Sequence, residues 1–406
     1  MAGWAVVPSF EPFRATRYAP ALDLAAVTAP PYDVLSERDV DEFAARDEHN
    51  VVRVDVPRGG GDRYDVAAAT LRAWVADGSL VIDDIPSFTI YRRRFTDATG
   101  QARELSGVIG ALEVVDDGSR EVLAHERTTP KASTDRLELT RTTAANLSPV
   151  WCLHASAGLS DLLVEPGEPV GACSVDGVEH RVERVVDPGR IQRIRAAVGS
   201  GAALIADGHH RYAVSRQYRD EVRAATGRTD EDAEWTLAFV GELVADQISV
   251  EAIHRLYTGV RAEHLVGLFD SWFSVEPTDG GLDTLSPDVL GRMHADGRLV
   301  LIRPDGWDWL VPRAGAFDGV RSLDGLWLEH ALDGSAAEVS YQHGLPDVIG
   351  AVRDGRASAA VLIRPVSVDE IRRTADQGLL MPPKSTYFTP KLRTGLVLRQ
   401  MDPRHH

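Results

Sequence analysis

The residues with the clearest chemical potential lie in the stretch "ALIADGHHRYAVSRQY", which runs from Ala203 to Tyr218. The apolar run at its start predicts a buried strand, and Gly208 can adopt backbone angles closed to other residues, so the chain can turn sharply into a helix. The free N–H groups at a helix start attract anions, and an arginine adds a bidentate contact to phosphate. The stretch therefore predicts a phosphate-binding turn, formed by Gly208, His209, His210 and Arg211.

Other interpretations of this turn remain open. His209 suits proton transfer, and Asp207 has the chemistry to hold a magnesium ion, to orient a histidine or simply to cap the helix. His210 shares an i, i+4 stripe with Val214 and Tyr218, so it is also compatible with a packed histidine that faces the core. Adjacent histidines diverge by about 100° on a helix and seldom bind one ion together. No transition metal is therefore expected.

A second polar constellation occupies "AHERTTPKASTDRLELTRTTAANLSP". Helix-like spacing of Asp135, Leu139 and Thr143 predicts a helix in its second half, although such segments are more often solvated loops. Its basic residues suit an anion, and its glutamate suits a general base. The candidate base is Glu126, and the candidate phosphate or nucleotide ligands are Lys131, Arg136, Arg141 and Asn146.

Weaker candidates lie near the two ends of the chain. Near the C-terminus, "MPPKSTYFTPKLRTG" combines basic and hydroxyl side chains, including Lys391, with two proline turns. We expect this tail to return toward the core, because a polar, proline-fixed ending would otherwise be unusual. The alternative is an exposed segment with no specific role. The possible substrate-binding residues are Arg17, Tyr32, Asp33, Lys384, Ser385 and Thr386.

Composition restricts the partners. The 406 residues include 61 acidic and 44 basic ones, which gives a formal net charge of −17. A field of that sign repels nucleic acid and anionic membranes, so neither is predicted as a partner, whereas a small anionic substrate in a local basic pocket stays compatible. No apolar run of about 18 residues occurs. Two cysteines are too few for a disulfide framework, so a cytoplasmic location is expected.

Strand and helix patterns alternate along the chain, which favours an α/β or α+β fold. "SERDVDEFAARDE" predicts a helix capped by Ser36 with Asp39 as the capping-box partner. "DRYDVAAATLRAWVADGSL" predicts a second helix with an apolar face formed by Val66, Leu71, Trp74 and Val75. We expect an N-terminal region over 1–99, a core that carries the phosphate-binding motif over 100–260, and a C-terminal region over 261–406 that returns to the core.

Five motifs occur in a fixed order: "PFRATRY", "APPYDVLS", "HERTTPKASTDRLELTRTTAANLSP", "LIADGHHRYAVS" and "MPPKSTYFTPKLRTGL". Together they resemble the family called domain of unknown function 1015, from Pro12 to about Leu396. More distantly, "RIQRIRAAV" followed by a strand and "DGHHRYAVS" is similar to the signature of the ParB/sulfiredoxin superfamily. The latter resemblance implies a ParB/sulfiredoxin-like mixed core with N- and C-terminal extensions.

That superfamily includes nucleotide-hydrolysing partition proteins, sulfiredoxin and an archaeal free-serine kinase, and its glycine-to-arginine turn binds phosphate. The resemblance implies phosphoryl transfer to a small hydroxylated metabolite such as an amino acid, or the reverse phosphatase reaction. It also implies two cofactors: Mg²⁺, held by Asp207, and a nucleotide, either ATP or ADP. By analogy with the kinase, Glu126 deprotonates the accepting hydroxyl. The alternatives are a non-catalytic nucleotide-binding switch and, with less support, a metal-dependent hydrolase. The oligomeric state stays open.

Overall fold

The computed structural model describes residues 7–97, 100–124, 133–155, 157–379, 381–382 and 384–401. Contacts divide the chain into two compact units. The first contains the described residues up to 249, residues 374–379 and those from 389 onward, and the second contains 250–373 and the described part of 380–388. The sequence predicted three regions with a boundary near residue 99. Strands on both sides of that position pair as a hairpin, so they share one sheet.

The helices formed by the described residues range in length from one turn to five turns. In chain order they are α1 (Leu24–Val27), α2 (Glu37–Arg46), α3 (Val52–Asp55), α4 (Arg63–Ala76), α5 (Ser133–Thr143), α6 (Leu159–Val164), α7 (Pro188–Val198), α8 (His209–Thr226), α9 (Ala262–Phe269), α10 (Pro287–Asp296), α11 (Asp324–Ala331), α12 (Leu345–Arg353) and α13 (Val368–Asp376).

The strands are mostly short. In chain order they are β1 (Phe10–Glu11), β2 (Thr16–Tyr18), β3 (Leu80–Ile82), β4 (Phe88–Thr96), β5 (Ala102–Glu113), β6 (Val122–Ala124), β7 (Ala145–Asn146), β8 (Val150–His154), β9 (Glu168–Val175), β10 (Val178–Val185), β11 (Ala203–Asp207), β12 (Trp235–Glu242), β13 (Ser249–Glu251), β14 (His254–Thr258), β15 (Phe273–Pro277), β16 (Leu299–Arg303), β17 (Gly306–Pro312), β18 (Glu338–Gln342), β19 (Ala359–Leu362), β20 (Tyr387–Thr389) and β21 (Arg399–Gln400).

The first unit is organised on a mixed sheet. Its strand order is β6-β11-β8-β12-β5-β4-β10-β9, and β1 also pairs with β5. The pairs β6–β11 and β8–β12 are parallel, and the others are antiparallel. Helices pack on this sheet, so the predicted mixed class of helices and strands is confirmed in its α+β form.

The side chains of β4 point alternately to the two faces of this sheet. Phe88 and Ile90 point to a buried cluster that also contains Ile194 and Val198 of α7. Residues at odd positions point to the opposite face, because side chains alternate along a strand. There the guanidinium of Arg93 lies against aromatic rings and donates a hydrogen bond from Nη1 to Pro390 O. The C-terminal segment therefore packs on the face opposite α7.

The local predictions are largely confirmed. Ser36 caps α2, and both hydrogen bonds of the capping box with Asp39 are present. Helix α4 also forms, but the predicted position of Val66 on its apolar face is wrong, because that side chain is 54% exposed. Ala67 and Ala68 are buried instead. The small side chains of these alanines let α4 approach its neighbours closely. The buried face of the helix therefore differs from the one predicted from its larger apolar residues.

The second unit has its own antiparallel sheet, with the order β15-β17-β16-β19-β14-β18. Both faces of this sheet are covered: Leu299 and Leu301 of β16 belong to one apolar cluster, and Val300 and Ile302 belong to another. None of the helices described in either unit combines the length and the apolar character needed to cross a membrane.

Candidate phosphate site

The predicted strand, glycine and helix are all present at the start of α8. Strand β11 ends at Asp207, and Gly208 adopts φ +88° and ψ 28° before the helix begins at His209. The Tyr212 N–H donates to Gly208 O at 3.0 Å, which closes the first turn. Gly208 is itself the N-cap residue, so the alternative that Asp207 caps this helix is wrong. The carboxylate of Asp207 contacts two cationic side chains instead.

Arg211 is the first of these cations. It is only 9% exposed, and it donates from Nη1 to Pro149 O and from Nη2 to Asp207 Oδ2 at 2.5 Å. Its Nη2 also lies 4.0 Å from Asp33 Oδ2, and its Nε has no acceptor within the described part of the chain. A Cβ atom at Gly208 would lie 2.9 Å from Arg211 Cζ, so glycine is required for space as well as for its φ angle.

Lys391 is the second cation, and its Nζ lies 2.5 Å from Asp207 Oδ1. Burial raises the pKa of Asp207, but the charges of Lys391 and Arg211 outweigh it and hold that pKa well below its ordinary value. Asp207 is therefore ionised at neutral pH and is a poor proton acceptor.

A cavity of about 50 Å³ lies beside this turn. It brings together four of the residues proposed from sequence, although they come from distant parts of the chain. A fifth lining residue, Asp55, was not predicted. The five are Tyr32, Asp55, Arg136, Asn146 and Arg211.

Arg136 enters the cavity from α5, as the helix-like spacing indicated. It is nearly buried, and its Nη1 donates to Asp55 O while its Nη2 donates to Asp135 Oδ2 at 2.8 Å. Its Cζ lies 4.3 Å from the centre of the Tyr32 ring, in a cation–π contact. These contacts hold the guanidinium in one orientation at the cavity wall.

Asp55 is a carboxylate in the same wall, and its side chain is buried. Its Oδ1 accepts from Arg136 Nη1 at 3.4 Å. Burial raises the pKa of Asp55, and the negative charges of Asp33 and Asp135 raise it further. The positive charges of Arg136 and Arg211 lower this pKa but do not offset the effect of burial. The sequence "VVRVD" around it contains no motif that could have indicated this position.

Asn146 serves the fold as well as lining the cavity. Its Oδ1 accepts from the Leu237 N–H of β12 at 3.1 Å and from Arg399 Nη1 at 3.4 Å. The histidines that follow Gly208 are both half-buried in the first turn of α8. The functional roles of Asn146, His209 and His210 stay predictions.

The remaining candidates are not among the residues that line the cavity. Arg17 pairs with Asp83 at 3.0 Å, and Arg141 donates to Glu221 at 2.8 Å on the surface. Lys384 belongs to the second unit, where its carbonyl accepts from Arg255. Ser385 and Thr386 are buried in that unit as well. Their proposed contacts with substrate stay predictions.

Three further candidates need separate comment. Glu126 and Lys131 lie outside the described residues, so their roles stay predictions. Magnesium at Asp207 does not fit the arrangement seen, because each carboxylate oxygen already contacts a cation. No cluster of three histidine, cysteine, aspartate or glutamate side chains that could hold a metal is found within the described ranges. We therefore assign no step to a metal ion.

The sequence matches the model of the family described as "Protein of unknown function (DUF1015)" over residues 10–326. The chain belongs to this family. No curated protein matches the sequence significantly.

Solved structures with partial similarity include a variant free serine kinase in complex with AMP, at 13% identity and a TM-score of 0.39, covering 72% of this chain and 92% of that chain. A conserved hypothetical protein from Pyrococcus furiosus has 13% identity and a TM-score of 0.37, covering 68% of this chain and 92% of the other. C-terminally truncated SbnI from Staphylococcus aureus has 13% identity and a TM-score of 0.34, with coverages of 71% and 85%.

Proposed function

We propose that this DUF1015 protein binds the phosphate group of a small molecule or nucleotide at the cavity beside Gly208 and transfers a phosphoryl group to or from a small hydroxylated metabolite. One observation carries the proposal. Arg136 and Arg211, which come from different helices, line one cavity, and Arg211 keeps an N–H group for which the described residues offer no acceptor.

The guanidinium groups of Arg136 and Arg211 are held in fixed orientations, which favours binding of a phosphate group. Each guanidinium already has fixed partners, Asp135 and Asp55 for Arg136 and Asp207 for Arg211, so little side-chain entropy is lost when an anion binds. A planar guanidinium matches the geometry of phosphate oxygens and supplies charge-assisted hydrogen bonds. Preorganised donors of this kind are the main requirement of phosphoryl transfer.

The proposed reaction needs a proton acceptor. The hydroxyl oxygen of the metabolite attacks phosphorus, the bond from phosphorus to the leaving oxygen breaks, and the hydroxyl proton passes to a carboxylate. Asp207 is unsuited, because its pKa lies far below the ordinary value. We propose Glu126 as the acceptor of this proton because of its position in the motif "HERTTPKASTDRLELTRTTAANLSP". A phosphatase would use the same phosphate ligands with water as the nucleophile.

The lining of the cavity suits one polar group of a ligand. Its volume of about 50 Å³ lies below the usual range of about 300–1,000 Å³ for whole small-molecule sites, so it fits a group such as a phosphate and not an entire nucleotide. The Tyr32 ring supplies an apolar wall, and the carboxylate of Asp55 supplies an acceptor for an ammonium or hydroxyl group. These features favour a compact polar metabolite, such as a hydroxylated amino acid.

Calorimetric titration with ADP, ATP and phosphoserine tests the binding step, with and without magnesium. We expect wild-type protein to bind at least one of these compounds. Replacement Arg211→Ala should weaken that binding by about 10- to 150-fold, because a charge-assisted contact contributes roughly 1.5–3 kcal/mol. The matched control is Arg228→Ala, which removes an exposed arginine just beyond the other end of α8.

Phosphorus NMR of the same mixtures, with serine or another hydroxylated amino acid added, tests the chemistry. A new phosphate ester or released phosphate supports phosphoryl transfer. Binding without any product over hours would favour the nucleotide-dependent switch instead. Equal affinity of the Arg211→Ala variant and the wild type would contradict the site.

A further inference from the structure

We propose that the second unit binds a small anionic molecule, with a carboxylate or phosphate group, in a cavity of its own. This second cavity is lined only by residues between 294 and 373, which all belong to that unit. Its volume of about 330 Å³ lies within the usual range of about 300–1,000 Å³ for small-molecule sites. It therefore accommodates a whole metabolite, and the inference does not depend on the proposed function.

Three segments of the second unit form the wall of the second cavity. They are the end of α10, the start of α11 and the turn that leads from β19 into α13. The Arg364 N–H donates to Asp324 Oδ2 at 2.8 Å, so the turn is fixed against the start of α11. Apolar surface is supplied by Leu323, Pro365 and Val366.

Arg364 is one of two arginines in this wall. Its Nε donates to Asp324 Oδ2 at 3.0 Å and its Nη2 donates to Asp324 Oδ1 at 2.5 Å, which makes a bidentate ion pair. The side chain of Asp324 is 6% exposed, whereas that of Arg364 is 23% exposed. The guanidinium is therefore the accessible half of the pair, and its Nη1 lies outside the pair.

Arg373 repeats this arrangement on α13. Its Nη2 lies 2.7 Å from Glu370 Oε2, and Glu370 Oε1 also accepts from Nε and Nη2 of Arg321 at 2.9 and 2.5 Å. The side chain of Glu370 is 13% exposed, whereas that of Arg373 is 61% exposed. Here too the carboxylate is the buried partner, and the arginine presents the accessible charge.

The formal charges of the wall cancel, so an anion is not attracted by a net charge. The wall contains two arginines and two carboxylates, to which His294 adds at most one positive charge. Asp369 is exposed on α13 but is not a lining residue. Both lining carboxylates are already paired with guanidinium groups and are mostly buried. Accessibility therefore makes the wall a surface of hydrogen-bond donors.

These donors match the oxygens of a carboxylate or a phosphate. A guanidinium presents a planar fork that fits either group, and the ion pair with Asp324 already fixes the plane of Arg364. Ser322 and Ser367 add hydroxyl groups to the same wall. The second cavity thus combines charged donors, hydroxyl groups and apolar surface, as sites for small anionic metabolites require.

Calorimetric titration with succinate, citrate and inorganic phosphate tests this inference. We expect wild-type protein to bind at least one of them. Arg364→Met should weaken that binding about 10-fold or more, because it removes charge-assisted hydrogen bonds. Arg373→Met should weaken it about two- to fivefold, because a largely exposed cation contributes less. The matched control is Arg356→Met, which removes an arginine that is 59% exposed, pairs with Asp354 and does not line the cavity.

Two variants keep the test informative if Arg364→Met fails to fold. That replacement leaves the buried carboxylate of Asp324 without its guanidinium, so a loss of stability is expected. Arg373→Met and Ser322→Trp replace exposed side chains instead, and urea denaturation should show wild-type stability for both. The indole introduced by Ser322→Trp fills part of the second cavity and should block binding.

Arg211→Ala separates the second cavity from the site beside Gly208. Each compound that binds the wild type is titrated into this variant, and at least one should keep its affinity. Loss of all of them would place the anions beside Gly208 and overturn the inference. Wild-type affinity in both Arg373→Met and Ser322→Trp would also overturn it, as would the absence of saturable binding to wild-type protein. Binding of citrate without any binding of ADP would contradict the proposed function alone.

Discussion

The ion pair between Asp207 and Lys391, with 2.5 Å between Oδ1 and Nζ, joins residues 184 positions apart. It connects the end of β11, the strand next to the edge strand β6, to the C-terminal segment of the first unit. Because Asp207 also contacts Arg211, one carboxylate holds two cations, of which Arg211 lines the cavity. The geometry of the site therefore depends on segments that no local motif connects.

Replacement of Gly208 by alanine should lower both stability and phosphate affinity. Its φ of +88° costs an alanine roughly 1–2 kcal/mol, and the new Cβ displaces Arg211. Gly227→Ala is the matched control, since this glycine at the other end of α8 has φ +69° and nothing within 4 Å of an added Cβ. Chemical denaturation should show similar losses for both variants, whereas titration with ADP should show weaker binding only for Gly208→Ala. Equal affinities of the two variants for ADP would show that the Gly208 turn does not contribute to binding.

Arg211→Lys should retain part of the function that Arg211→Ala loses. Lysine keeps the positive charge near Asp207 but cannot reach Pro149 O and a phosphate with a planar fork. We expect an affinity for ADP between those of the wild type and Arg211→Ala, measured by calorimetry at one ionic strength. Wild-type affinity would indicate that charge alone matters here.

Asp55→Asn should stabilise the protein relative to the wild type at pH 8, and by less at pH 5. The folded state holds the Asp55 proton more tightly than the unfolded chain, because burial raises the pKa of Asp55. The wild type therefore loses stability as the pH rises through that raised pKa, and the asparagine variant does not. Urea denaturation at both pH values measures the difference. A lower stability of the variant at pH 8 would show that the contact with Arg136 dominates.

Glu126→Gln should lower kcat by about 10²- to 10⁴-fold if this residue accepts the proton of the hydroxyl. Binding of the nucleotide should change little, because the amide has nearly the same shape as the carboxyl group. Steady-state kinetics with varied metabolite separate the two effects. Comparable losses in kcat and in affinity would assign Glu126 a positioning role.

Several features of the fold were predictable because their signals are local. The capping box of Ser36 and Asp39 fixes the start of α2 within four residues. The apolar run before Gly208 and the amphipathic pattern after it define a strand, a turn and a helix, and all three are present. Hydrogen bonds within one turn and the period of apolar residues are properties of the sequence itself.

The partners of the polar side chains were not predictable in the same way. Arg136 and Arg141 lie on one short helix, yet Arg136 lines the cavity and Arg141 pairs with Glu221 on the surface. Asp55 carries no motif, but it is part of the same cavity wall.

The sequence by itself determined the secondary structure around the glycine turn, the mixed class of the fold and the membership of the DUF1015 family. Only the tertiary structure decided that Lys391 meets Asp207, that Asp55 faces Arg136 and that Arg93 is buried without a described carboxylate partner. The physical reason is that backbone conformation follows from neighbouring residues, whereas the partner of a charged side chain is chosen by the packing of segments far apart in the chain.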